Sequence, residues 1–207
     1  MTKITDKLTI TNEDNMLLMG RYPDKYFDLA IVDPPYGINI TNECMGGRKT
    51  VKPDKNKNWD NKTPNQEYFN ELFRISKNQI IWGGNYFNLP MSRYFAIWDK
   101  GETMYGRDFA ECEFAWVRNG GTRIYKLNPN QLERIHPTQK PVALYKWILD
   151  KYAKDGDKIL DTHLGSGSIA IACHDYGFEL TACELDTEYY EKAIERIKNH
   201  VAQQKLF

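Results

Sequence analysis

From residue 140 onward almost every residue belongs to a short alternating unit. A helix over 141–153 starts on Pro141, where the missing N–H costs nothing. A strand over 158–161 follows, then the turn Gly165-Ser166-Gly167-Ser168, then a helix over 169–176 closed by Gly177. A strand over 179–183 leads to a helix from Thr187, read as its cap, to about residue 204. Strands separated by helices cannot pair as hairpins, and the crossover makes them parallel. The N-terminal half has the same rhythm: strand 7–11, helix 14–21, the buried strand Phe27–Val32, an amphipathic helix over 65–77, and strand 79–82 ending at Gly83-Gly84. Short strands over 94–98, 112–117 and 122–125 are expected to pair antiparallel at one edge. The class is therefore α/β, a mostly parallel sheet with helices on both faces.

Several other classes are excluded. With 207 residues and 41% hydrophobic content the chain can bury one ordinary core. It has no run of about 18 apolar residues for a membrane span, and residues 1–6 carry no apolar signal core. Cys44, Cys112, Cys173 and Cys183 show no C-x-x-C spacing, which predicts reduced thiols in a cytoplasm and no metal site. Lys plus Arg equals Asp plus Glu at 28 each, so net charge says nothing about nucleic acid. The distribution does. Arg48, Lys49, Lys52, Lys55 and Lys57 surround one acid, Asp54, inside a long polar loop over 37–62. Arg118, Arg123, Lys126, Arg134 and Lys140 stand against Glu133, while Glu184, Asp186, Glu188, Glu191 and Glu195 gather elsewhere. A neutral total can thus hide a basic face for phosphates; composition alone also fits a merely soluble loop.

Two strand ends carry chemistry. Asp33-Pro34-Pro35-Tyr36 follows the strand Phe27–Val32. A carboxylate, two imide carbonyls and an aromatic ring suit a planar amino group, with acceptors for its N–H bonds and a ring for its π-face. Two fixed φ angles keep the acceptors aimed. The same four residues also describe a strand closing in a proline turn. The second strand end is Asp161-Thr162-His163-Leu164-Gly165-Ser166-Gly167, and Glu184 ends the next strand about twenty residues on, where an acid can grip ribose hydroxyls. The third glycine of a pyrophosphate loop is Ala170 here, so a nucleoside without phosphates fits better than a dinucleotide.

These two motifs, with His136-Pro137-Thr138-Gln139-Lys140-Pro141 between them, resemble the β-group of DNA amino-methyltransferases, which modify adenine N6 or cytosine N4. Trp82-Gly83-Gly84-Asn85-Tyr86-Phe87 and Trp98-Asp99-Lys100 extend the resemblance over nearly the whole chain. It implies a permuted S-adenosylmethionine-dependent methyltransferase (Rossmann-like) fold with a seven-stranded sheet, forming one domain over 1–207. Residues 1–117 would be the catalytic half, 118–135 a short target-recognition insert and 136–207 the cofactor-binding half. It implies that Asp33, Pro34, Pro35 and Tyr36 form the catalytic loop. Asp161, Gly165, Ser166, Gly167 and Glu184 would hold S-adenosylmethionine together with Asp33. His136, Thr138, Gln139 and Lys140 would line its methionine end, and Asp14 would meet its adenine. The chain departs from the family in Glu13-Asp14, where relatives carry Gly-Asp, and in Thr162-His163, where they often carry Pro-Phe.

The mechanism then expected is in-line methyl transfer. Asp33 and the Pro34 carbonyl accept the two amino hydrogens, Tyr36 stacks on the base, and the base is flipped out of double-stranded DNA. Asp at the head of the tetrapeptide points, within the family, to adenine. Cytosine N4 or RNA as substrate, and a silent nucleic-acid-binding module, are the alternatives. The short insert leaves base readout to residues such as Arg123, Asn128, Asn130 or Gln131, to the 37–62 loop, or to a homodimer partner.

Overall fold

The computed structural model describes residues 2–39, 59–108, 110–129 and 134–203. The basic loop residues Arg48 to Lys57, and Asn130 and Gln131, lie outside these residues. The strands are β1 (Thr2–Lys3), β2 (Leu8–Asn12), β3 (Phe27–Val32), β4 (Ser76–Trp82), β5 (Tyr94–Asp99), β6 (Cys112–Val117), β7 (Arg123–Lys126), β8 (Lys158–Asp161) and β9 (Glu179–Glu184). The helices are α1 (Asn15–Met19), α2 (Gln66–Ile75), α3 (Val142–Tyr152), α4 (Ser168–Tyr176) and α5 (Thr187–Ala202).

All nine described strands join one sheet in the order β1-β2-β9-β8-β3-β4-β6-β5-β7. Nine strands replace the seven expected from resemblance. The two-residue β1 adds antiparallel to β2 at one edge, and β7 adds to β5 at the other. From β2 to β4 every pairing is parallel, so the carboxyl ends of β2, β9, β8, β3 and β4 share one edge. Beyond β4 the direction alternates, since β6 runs antiparallel to β4 and β5. One edge expectation needs correction: β7 pairs parallel with β5.

Side-chain alternation splits the core into two layers. Leu29 and Ile31 of β3, Ile80 and Trp82 of β4, and Ile159 of β8 face α3, α4 and α5. Ala30 and Val32, Ile81 and Leu160 face α1 and α2. Each fully buried aliphatic side chain here contributes about 1.5–3 kcal/mol. Helix starts follow local capping. Asp14 Oδ1 accepts from the Met16 N–H at 2.8 Å, and Asn65 Oδ1 from the Tyr68 N–H at 3.0 Å. For α5 the cap is Asp186, which accepts from the Tyr189 N–H at 3.0 Å. Thr187, expected to cap, instead donates its hydroxyl to Asn12 Oδ1 at 2.9 Å, joining α5 to the end of β2.

Candidate functional site

Parallel strands with helices on both faces open a crevice where the strand order reverses direction. In this sheet β8 is followed by β9 on one side, while β3 is followed by β4 on the other. Asp33, Asp161 and Glu184 sit at the ends of these adjoining strands. A cavity of about 480 Å³ lies over that edge, within the usual range of about 300–1,000 Å³ for a small-molecule site. Asp33, Pro35, His136, Thr138, Gln139, Lys140, Gly165, Ser166 and Glu184 line it. Pro34 and Asp161 are buried and do not line it.

The Glu184 side of the cavity is built by backbone amides. Glu184 receives the Gly165 N–H at 2.8 Å on Oε2 and the Asp186 N–H at 3.0 Å on Oε1. Burial raises its carboxyl pKa, and these amides oppose the rise without cancelling it. Asp161 accepts from the His163 N–H at 2.9 Å. Burial pushes its carboxyl up to about 8, helped by the negative charges of Asp33 and Glu184. Gly167 takes φ +74°, which favours glycine, and a Cβ there would stand 2.8 Å from Ile197 Cδ1 on α5. Arg196, which sequence reading passed over, ties the same loop down by donating to the Ser166 carbonyl at 2.7 Å and Ser168 Oγ at 3.0 Å.

His163 lines the cavity at the position where the family resemblance suggests phenylalanine. Asn15 Nδ2 lies 3.1 Å from its Nε2, and Thr162 Oγ1 lies 3.0 Å from its Nδ1. With the Asn15 amide donating to Nε2, the ring proton sits on Nδ1 and points at Thr162. Thr162 Oγ1 also meets the Tyr68 hydroxyl at 2.7 Å. Desolvation drives the His163 pKa down to about 3, so the ring is neutral. It packs edge-on to Tyr68 at 5.3 Å. Next to it, His136 Nδ1 takes the Thr138 hydroxyl at 3.1 Å, and its ring meets Tyr189 at 4.4 Å and Trp59 at 5.2 Å. Gln139 Oε1 accepts from the Ile135 N–H at 3.1 Å.

The catalytic-loop candidates are held from three sides. Asp60 Oδ1 accepts the Tyr36 N–H at 2.7 Å and the Gly37 N–H at 3.0 Å, fixing the backbone after the prolines. The Tyr36 hydroxyl donates to Asp33 Oδ1 at 2.7 Å, and the Lys140 ammonium donates to Asp33 Oδ2 at 2.5 Å. The Tyr36 ring stacks on Tyr86 at 4.8 Å and 10°. Burial raises the Tyr36 pKa well above 10, with the Asp33 charge adding to it. Behind Lys140 stands Glu113 at 3.3 Å, which in turn meets Lys100 at 2.8 Å. Losing one partner of such a buried pair costs about 3–5 kcal/mol.

The structure therefore brings most of the expected site residues to one cavity, while Asp14, Pro34, Tyr36, Asp161 and Gly167 do not line it. Asp14 spends its carboxylate on capping α1, and the neighbouring Glu13 lines the cavity, paired with Arg21 at 2.6 Å. Tyr36 stacks on Tyr86 and Gly167 packs against Ile197. Lys140 is 4% exposed and committed to Asp33 and Glu113, so it leaves the basic face to which its sequence neighbours assign it. Lys126 pairs with Glu102 at 2.7 Å, and Asn128 Nδ2 donates to Thr103 Oγ1 at 2.7 Å. Asp60, Glu113 and Arg196 had no local sequence signal. Each acts on a partner 23 or more positions away.

Comparison with known proteins bears on the family and the fold. A family model described as DNA methylase (N6_N4_Mtase) matches residues 92–195, just over half of the chain. The type II methyltransferase M2.DpnII of Streptococcus pneumoniae is 21% identical, over 93% of this chain and 90% of its own length. The fold is similar to the crystal structure of the M1.HpyAVI–SAM complex, with TM-score 0.57 and 19% identity over 91% of this chain and 98% of that one. It is also similar to PvuII DNA methyltransferase (cytosine-N4-specific), with TM-score 0.58 and 10% identity over 96% of this chain and 87% of that one.

Proposed function

The chain belongs to the N6/N4 DNA methylase family, and from that premise we propose that it transfers the methyl group of S-adenosylmethionine to the N6 amino group of adenine in DNA. The observation carrying this reading is Asp33. It stands at the cavity wall with each carboxylate oxygen already fixed by one donor, Tyr36 or Lys140. Each oxygen keeps lone-pair capacity for one more hydrogen.

The residues present fit the methyl donor. A nucleoside needs a ribose-gripping acid beside a tight backbone turn. Glu184 faces the Gly165 amide at 2.8 Å on the same cavity that Asp33 lines. Glu184 and the 165–167 loop would hold the nucleoside. The residues from His136 to Gln139 would line the other end. When bound, S-adenosylmethionine supplies an electrophilic methyl group on a positively charged sulfur.

The work of the protein is then positioning and electrostatics. An exocyclic amino nitrogen is a poor nucleophile, because its lone pair is delocalised into the ring. Asp33 and the Pro34 carbonyl accept its two hydrogens and draw the nitrogen toward tetrahedral geometry, which frees the lone pair. Asp60 keeps the loop rigid by holding the Tyr36 and Gly37 amides. Tyr36 already spends its hydroxyl on Asp33 and one ring face on Tyr86, so its first contribution is to orient Asp33. The target base must leave the DNA stack to reach this wall.

Adenine is favoured over cytosine by the aspartate at the head of the tetrapeptide. The cytosine-N4 reading keeps one point of support, the similarity of fold to a cytosine-N4-specific enzyme. Incubation with labelled S-adenosylmethionine and mixed DNA, and separately with RNA, followed by hydrolysis and mass identification of the methylated nucleoside, separates them. The expected product is N6-methyladenine, absent with Asp33→Ala while cofactor binding persists. N4-methylcytosine would overturn the base assignment, and transfer confined to RNA would overturn the substrate.

A further inference from the structure

Four alternating charges run inward from the cavity wall. Asp33 lies just past β3, Lys140 just before α3, Glu113 in β6 and Lys100 just past β5. The separations are 2.5 Å from Lys140 to Asp33, 3.3 Å from Lys140 to Glu113, and 2.8 Å from Lys100 to Glu113. The Lys140 side chain is 3% exposed and that of Lys100 12%. The Lys140 ammonium also lies over the Trp82 ring at 5.1 Å. Lys140 cannot swing away: apolar and aromatic groups surround it, and its two acids come from different parts of the sheet.

The order of charges has a chemical consequence. A lone buried ammonium beside Asp33 would direct all of its attraction at the one carboxylate that must also accept substrate hydrogens. A second carboxylate on the far side of the ammonium divides that attraction. The second carboxylate then needs a cation of its own, because an unpaired buried charge is costly. Burial raises the Glu113 carboxyl pKa, but the ammonium groups of Lys140 and Lys100 outweigh burial, and the net displacement is downward. Burial lowers the Lys140 pKa, and the charges of Asp33 and Glu113 turn that into a net rise. The inner pair, Glu113 and Lys140, is therefore favoured in its charged form. The β5–β6 pairing sets Glu113 opposite Trp98, two residues before Lys100, so sheet register fixes the outer pair.

We propose that Glu113 and Lys100 are positioning residues for methyl transfer: Glu113 anchors Lys140 and shares its charge, so that Asp33 stays aimed and retains acceptor strength for the target amino group, and Lys100 acts only through Glu113. The inference rests on the reading of Asp33 as the amino-group acceptor.

The test is steady-state methyl transfer to one DNA substrate by wild type, Glu113→Gln, Glu113→Asp, Lys100→Met and the double variant Glu113→Gln/Lys100→Met. Calorimetric S-adenosylmethionine binding and thermal melting are measured on each. Glu113→Gln is expected to lower kcat by about 10–100-fold, the scale of a small misplacement of a reacting group. The KM for DNA and the Kd for S-adenosylmethionine should stay within about twofold. Glu113→Asp should recover part of the loss. The double variant should be no slower than Glu113→Gln alone, since among the described residues Lys100 reaches Asp33 through Glu113 and Lys140. If Glu113→Gln fails to fold, Lys100→Met against Glu113→Asp carries the same comparison. A Glu113→Gln enzyme with kcat within twofold of wild type overturns the inference. So do cofactor affinity that falls as far as kcat, or additive losses in the double variant. A wild-type protein that methylates no DNA refutes the proposed function instead.

Discussion

Replacing Gly83 by alanine tests whether the catalytic loop is held by close packing. Gly83 follows β4 at φ +66°, and its N–H donates to the Phe114 carbonyl at 3.1 Å, so its backbone is tied to β6. An added Cβ would stand 2.3 Å from Tyr36 Cε1 and 2.6 Å from Tyr36 Cζ. The ring has little freedom to retreat, with its hydroxyl on Asp33 and one face on Tyr86. Two costs add. The left-handed backbone costs an L-residue about 1–2 kcal/mol, and overpacking costs about 1–3 kcal/mol. The sum, about 2–5 kcal/mol, is a large part of a usual stability of about 5–15 kcal/mol. At about 2–4 °C per kcal/mol for a chain of this size, the melting temperature should fall by roughly 4–20 °C. Gly156→Ala is the internal control, with φ +86° and nothing within 4 Å of its added Cβ. It should show the backbone cost of about 1–2 kcal/mol and no loss of activity. Differential scanning fluorimetry and methyl transfer, both well below the melting point, are the assays. Displacing Tyr36 removes a donor from Asp33, so Gly83→Ala should lose at least about tenfold in kcat while folded. Equal melting temperatures for the two variants, with wild-type kcat at Gly83→Ala, would refute the packing account.

Glu184→Ala removes the acceptor that gathers the Gly165 and Asp186 amides. Charged hydrogen bonds are worth about 1.5–3 kcal/mol, so the Kd for S-adenosylmethionine should rise about 10–150-fold by calorimetry. His163 predicts a pH signature. Its folded pKa near 3 is depressed below the ordinary 6.5, so its neutral form adds stability that is present above about pH 6.5 and drains away as pH falls toward 3. Urea titrations should therefore show the stability gap between wild type and His163→Phe shifting against wild type by about 2–4 kcal/mol over that window. Asp161 titrates in both proteins and cancels. A pH-independent gap would mean that His163 is solvated.

The sequence by itself determined which segments become strands and helices and which chemical groups stand at strand ends. Apolar alternation and turn residues act over a few positions, so Phe27–Val32, Cys112–Val117 and Lys158–Asp161 were readable to the residue. Asp33, Gly165 and Glu184 were readable for the same reason, because each terminates a local pattern. Local pattern failed where two residues competed for one role. Asp186 rather than Thr187 caps α5, because Asn12 claims the Thr187 hydroxyl across the sheet. It also failed at the sheet margins, where β1 went unread and the strand read over 122–125 pairs parallel rather than antiparallel, because backbone pairing leaves little mark on side-chain sequence.

Tertiary structure alone decided the strand order that sets β3 beside β8, and with it the meeting of Asp33 and the glycine loop over one cavity. It also decided what surrounds Asp33. Lys140 arrives from 107 positions away and Glu113 from β6, while Asp60 arrives from beyond the 40–58 segment. Sequence spacing carries no information about such pairs. Their energy comes from charges brought together out of water, and only the folded sheet brings them together.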